Sequence, residues 1–162
     1  MSATGKSSTV AALAALGHRA VDLDSPEWSH FVPDDSDYRD PHRDLDWQWR
    51  EDKVRALLTA GRGTLFVSGT STYQRRLYPL LDHVVLLTIP EDVARVRLAS
   101  RTTNSYGKDP AELERELKLR EIVEPLLRAG ACLEIDSALH SIAVVAVLVS
   151  RHTAGPAHAW GS

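Results

Sequence analysis

Three residues near the start of the chain, Gly5, Lys6 and Ser7, stand directly before an Ala- and Leu-rich run, and together they are suited to phosphate chemistry. In the motif GxxxxGK[ST] each residue type has a task. Glycine lets the backbone approach a phosphate chain, lysine reaches the β- and γ-phosphates, and the hydroxyl binds Mg²⁺. The N-terminus of the following helix aims free N–H groups at the anion. The chain opens MSATGKSST, which carries the closing half of that motif. Chance is the ordinary alternative, since such a triplet occurs in about one chain in ten of this size. Counting back from Gly5, the motif's leading glycine falls one position before Met1, and the strand that normally leads into the loop is absent. The expectation is a misplaced start codon or a truncated chain, with a decayed protein that no longer binds nucleotide as the alternative.

Other residues could share this chemistry. Asp22 and Asp24 alternate with Val21 and Leu23 at the end of a strand-like run, where two solvated acids are the ordinary alternative. Arg97, Arg101 and Arg120 lie on the helices either side of a turn-rich loop, TTNSYGKDP at 102–110, with Lys108 near its tip; exposed arginines pairing with Glu91 or Glu124 are the alternative there. Gly69-Thr70-Ser71 closes an apolar strand, a place where open α/β sheets put ligands. Arg75 and Arg76 follow, and Trp28, Trp47 and Trp49 flank the region, though a tryptophan more often packs than recognises. The seven histidines are scattered without H-x-x-x-H spacing, which argues against a zinc site, and no G-x-S-x-G elbow is present. The lone Cys132, in an apolar setting, reads as a buried structural thiol.

The elements that must hold these residues alternate. Strands are predicted at Ala20–Asp24, Thr64–Ser68, Val84–Ile89 and Cys132–Ile135. Helices are predicted at Ser8–Leu16, Leu45–Ala60, Tyr73–Leu81, Pro90–Arg101, Ala111–Leu127 and Ser141–Arg151, the fifth bent or ended near Pro125. Short, continuously apolar strands between helices predict an α/β fold with a parallel sheet covered on both faces. Residues 1–152 form one domain in this reading, with an irregular excursion or cap at about 25–43, a lid at about 102–110 and a disordered tail at 153–162. At 162 residues and 43% apolar the chain suits a single core. A net charge of −3 argues against nucleic acid, and the apolar runs at Val10–Leu16 and Ile142–Val149 are too short for a membrane. The cytoplasm is the expected compartment.

The order of motifs resembles the shikimate kinase and adenylate kinase group of P-loop kinases. The resemblance rests on GKSS, on VDLD at Val21–Asp24, on the strand-end Gly69, on the arginines and lid from Arg97 to Lys108, and on EPLLRAGACLEIDS at Glu124–Ser137. RTTNSYGKDP followed by EPLLRAGA more closely resembles actinobacterial proteins known only as ATP-binding or AAA-family ATPases. The resemblance implies a three-layer sandwich with strand order 2-3-1-4-5, here lacking the first strand and so gapped between the third and fourth. It implies ATP and Mg²⁺ as cofactors and a small-molecule acceptor, with Thr4, Gly5, Lys6, Ser7, Ser8, Arg97 and Arg101 binding nucleotide. Ser7 and Asp22 would hold the metal; Lys6, Asp24 and Arg101 would serve catalysis, Asp24 by orienting the acceptor and Arg101 by stabilising the transferring group. The family's acceptor loop carries two or three glycines where this chain has Gly69 alone, which sets shikimate itself aside. A nucleotide-binding module without an acceptor, or a remnant that binds nothing, are the other readings.

Overall fold

The computed structural model describes residues 2–34, 45–61, 63–100 and 110–157, except the side chains of residues 111 and 112. The fold is mixed α/β, built on two separate parallel ladders. β1 (Arg19–Asp22) pairs with β4 (Leu65–Ser68), Arg19 opposite Leu65 and Asp22 opposite Ser68. β5 (Val85–Thr88) pairs with β6 (Leu133–Asp136), Val85 opposite Leu133 and Thr88 opposite Asp136. Among the described residues β4 and β5 do not pair with each other.

Strand parity explains how helices cover the ladders. Ala20 and Phe66 face one way, toward Leu13 of α1 (Lys6–Ala15) and Val145, Ala146 and Val149 of α5 (Ile142–His152); Leu87 and Ile135 of the other ladder join the same cluster. Val21 and Val67 face the opposite way, toward Val54 of α2 (Glu51–Thr59) and Leu77 of a 3₁₀ helix at Gln74–Leu80. A third cluster, Ile89, Ala94 and Leu117, joins the end of β5 to α3 (Glu91–Ser100) and α4 (Pro110–Ala129). α4 continues through Pro125 instead of ending there. No described helix is long and apolar enough to cross a membrane.

The largest departure from expectation lies between β1 and α2. Residues 45–49 form a strand, β3 (Leu45–Trp49), antiparallel to β2 (Ser29–Pro33), and the helix begins only after Arg50. The helical spacing of Trp47, Val54, Leu57 and Leu58 is overridden by a tertiary pairing, Phe31 against Trp47 with ring centroids 4.7 Å apart. Glu51 and Asp52 then fall in the first turn of α2, where acids favour a helix start. The described residues thus hold six strands where four are expected, and the cap expected at 25–43 is in part this hairpin, with residues 35–44 outside the described ones. Of the expected tail, Thr153 and Ala154 are a turn following α5, and residues 158–162 lie outside the description.

Between the unpaired edges of β4 and β5 lies a cavity of about 620 Å³. Leu65–Gly69 line one side and Val84–Leu87 the other, with Lys6, Thr9 and Leu13 of α1 between them. The Thr9 hydroxyl is buried there without a hydrogen-bond partner among the described residues.

Candidate functional site

Residues 3–6 touch the carboxyl ends of both ladders. On the β1–β4 side Lys6 Nζ lies 3.7 Å from Asp24 Oδ2. On the β5–β6 side Ser137, just past β6, donates its hydroxyl to the Thr4 carbonyl at 2.8 Å. Arg97 of α3 donates to the Ala3 carbonyl at 3.1 Å and to the Ser137 carbonyl at 3.4 Å. One short segment therefore meets the ends of both ladders.

The segment is shaped by backbone rather than by side-chain capping. Gly5, the residue before α1, has φ +87° and makes no side-chain cap to the helix. A Cβ at Gly5 would meet Ile142 Cδ1 at 3.4 Å, an ordinary contact, so the constraint there is the strain of the positive φ. Ser7 and Ser8 are exposed in the first turn of α1, and Thr4 is buried.

Asp24 is the most constrained group of the site. The indole N–H of Trp47 donates to its carbonyl at 3.0 Å. Its Oδ1 accepts from the Thr70 N–H at 3.1 Å and from the Trp49 indole at 3.4 Å. Its own N–H donates to Asp22 Oδ1 at 3.1 Å, which also accepts from the Ser68 hydroxyl at 3.3 Å. Gly69 is what lets β4 end this close: a Cβ there would lie 2.7 Å from Asp24 Oδ1 and 2.8 Å from Trp49 Nε1. The arrangement can hold a carboxylate in a fixed direction beside an ammonium and a helix N-terminus, a combination suited to an anion with an associated cation.

The sequence-selected residues divide accordingly. Thr4, Gly5, Lys6, Asp22, Asp24 and Arg97 come together around residues 3–6, Arg97 through backbone carbonyls. Arg101, Lys108 and the lid at 102–109 lie outside the described residues. Arg120 does pair with Glu124, at 2.9 Å, but from a buried position instead of an exposed helix face. It also donates to the Ile89 carbonyl, and its Nη1 has no partner among the described residues. Arg75 donates to the Leu126 carbonyl at 3.4 Å, while Arg76 lies 3.5 Å from Glu51 and stacks over Tyr73. Trp28 packs beside Leu23 and Val54 as an ordinary core aromatic. Trp47 and Trp49 instead orient Asp24; their shared strand parity was the available signal, hidden by the helical reading.

Sequence spacing missed a second group. His83, Cys132 and His152 bring their ligating atoms within 4.8 Å of one another, although 49 and 20 residues separate Cys132 from the two histidines. Cys132 is half-buried, and its thiol donates to the Val84 carbonyl at 3.2 Å. The thiol expected to be buried is thus half-buried, and two of the histidines scattered along the sequence meet it where the starts of β5 and β6 and the end of α5 converge.

Compared with family models, with curated proteins and with solved structures, the chain shows no match.

Proposed function

We propose that the chain binds Mg²⁺-ATP at residues 4–8 and transfers the γ-phosphoryl group to a small hydroxylated or phosphorylated acceptor, as a P-loop protein of the shikimate and adenylate kinase type. The observation that carries this reading is the meeting of Lys6 and Asp24, 3.7 Å apart, at a helix N-terminus opened by a left-handed glycine. The residues fit the nucleotide in kind: α1 starts after a glycine of positive φ with no side-chain cap, and Ser7 stands exposed in the first turn. ATP would supply the phosphoryl group and Mg²⁺ the charge neutralisation.

On this reading Lys6 would exchange Asp24 for phosphate, Ser7 and Asp22 would hold Mg²⁺, and Asp24 would orient the acceptor hydroxyl and take its proton as the γ-phosphoryl group leaves ADP. The bonds from Thr70, Trp47 and Trp49 would keep Asp24 aimed once Lys6 has turned away. Arg97 would fix the loop through Ala3, and Arg101 would offset charge on the transferring group.

The same reading gives the cavity a meaning. The edges of β4 and β5 across a cavity of about 620 Å³, with a Thr9 hydroxyl that has no partner among the described residues, suit an apolar strand leading into residues 2–5. Such a strand would join both ladders into the single sheet of the resemblance.

Thermal denaturation with and without Mg²⁺-ATP tests the proposal on this chain and on a form carrying an apolar extended segment ahead of Met1. A ligand at a hundred times its Kd adds about 2.7 kcal/mol of stability. The expected result is a shift in the extended form that Lys6→Ala abolishes, followed by phosphoryl transfer to an added acceptor. No shift in either form sinks the ATP reading; a shift without transfer to any acceptor leaves a binding module.

A further inference from the structure

The cluster of His83, Cys132 and His152 lies away from residues 3–6, at the amino end of β5, and takes no part in the proposed phosphoryl chemistry. We propose that His83 Nδ1, Cys132 Sγ and His152 Nε2 form a binding site for Zn²⁺, with the fourth position facing the cavity between the ladders.

Distances favour this. Tetrahedral zinc with Zn–S of about 2.3 Å and Zn–N of about 2.0–2.1 Å places sulfur and nitrogen about 3.5 Å apart and the two nitrogens about 3.4 Å apart. Cys132 Sγ already lies 3.5 Å from His152 Nε2 and 4.0 Å from His83 Nδ1. All three ligand atoms fit within 4.8 Å, so a small rotation of His83 closes the set. His83 sits in the irregular stretch before β5, where that rotation disturbs no ladder.

The chemistry agrees with the geometry. A thiolate and two imidazoles form the nitrogen and sulfur donor set that a borderline-soft divalent ion selects, in preference to Mg²⁺ or Ca²⁺. Binding replaces the thiol proton by the metal. The Val84 carbonyl then loses the S–H donor but keeps the Cys132 backbone N–H at 2.9 Å, so no buried acceptor is orphaned. The cation would also sit at the C-terminus of α5, whose last residue is His152, where the helix dipole favours positive charge. His83 precedes β5, Cys132 precedes β6 and His152 ends α5, so the ion would tie the beginnings of β5 and β6 to the end of α5. His83 lines the cavity together with Thr153 and Gly155, which leaves the open coordination position on that side for water.

The test is a Co²⁺ titration of the tag-free, chelator-treated full chain, read by the thiolate-to-metal charge-transfer band, then competed with Zn²⁺. The expected result is one ion per chain, displaced by Zn²⁺. The band should vanish in Cys132→Ser, and Zn²⁺ affinity should fall at least about tenfold in Cys132→Ser and His83→Gln. His18→Gln, at a histidine bonded to Ser150 instead, should bind as the wild type does. Far-UV circular dichroism on each variant separates loss of a ligand from loss of fold, and His83→Gln, in a loop, covers the case in which Cys132→Ser misfolds. Absence of saturable one-to-one binding in the wild type overturns the site, as does unchanged Zn²⁺ affinity in a folded His83→Gln. The inference does not depend on nucleotide binding, and either can fail alone.

Discussion

The two parallel ladders meet the same N-terminal segment in different ways. The β1–β4 ladder offers it side chains: Asp24 faces Lys6, and Asp22 and Ser68 stand behind. The β5–β6 ladder grips its backbone, Ser137 and Arg97 bonding the carbonyls of Thr4 and Ala3. Ion pairs that are partly exposed are weak and exchangeable, whereas donors to carbonyls near the protein interior are costly to remove. One ladder is thus equipped to change partners and the other to hold still. A loop that must release a lysine to a ligand while keeping its own path needs both.

The most damaging way to probe this division is to cut the core that joins the halves. Phe66 of β4 packs with Leu87 of β5 under α1 and α5, and Phe66→Ala should cost about 3–5 kcal/mol in urea denaturation. Trp28, Trp47 and Trp49 all report on the β1–β4 side, whereas far-UV circular dichroism reports on both sides. Coincident transitions would mean that the ladders fold as one unit. A tryptophan transition that moves alone would divide the molecule into two independent halves.

A smaller effect ranks the two kinds of grip. Arg97→Met removes the donor to the Ala3 and Ser137 carbonyls and should cost about 2 kcal/mol, while Lys6→Met, which breaks the 3.7 Å pair with Asp24, should cost less than about 1 kcal/mol. Thermal denaturation of the two variants side by side reads the difference. The reverse order would break the comparison, because the exchangeable contact would then be the one that holds.

The smallest expected effect lies on the outer face of β6. The Arg128 guanidinium, bonded to Glu134 at 2.7 and 2.9 Å and to Glu124 at 2.9 Å, holds the Glu134 carboxyl below its ordinary value of 4.5. With the folded value depressed, this contribution is fully present above pH 4.5 and is lost as the pH falls through the folded value. Both groups are substantially exposed, so the contribution is less than about 1 kcal/mol and shrinks with salt. In urea denaturation Glu134→Gln should lower stability at neutral pH by less than about 1 kcal/mol and leave it almost unchanged below the folded value, so that the acid side of the stability profile flattens slightly.

Local chemistry announced the four parallel strands and most of the helices, because each strand is a short apolar run between helix signals. The meeting of Gly5, Lys6, Asp22 and Asp24 was legible for the same reason: loop, helix and strand end follow one another in sequence. Leu45–Trp49 was not, since its identity as a strand comes from Ser29–Pro33, a partner whose own signal is interrupted by polar residues and prolines. His83, Cys132 and His152 were invisible because the pairing of β5 with β6 and the packing of α5 create their proximity, and spacing along the chain encodes neither.

The unpaired edges of β4 and β5 have a consequence for proton exchange. Along a strand, successive amide groups point to opposite edges, so in β4 every other N–H is engaged by β1 while the next faces the cavity. Exchange with deuterium should therefore alternate residue by residue through Leu65–Ser68 and again through Val85–Thr88, fast and slow positions interleaved within each strand. Any chain segment that settled between the edges would erase the alternation, making amide exchange a residue-level gauge of whether the gap is filled.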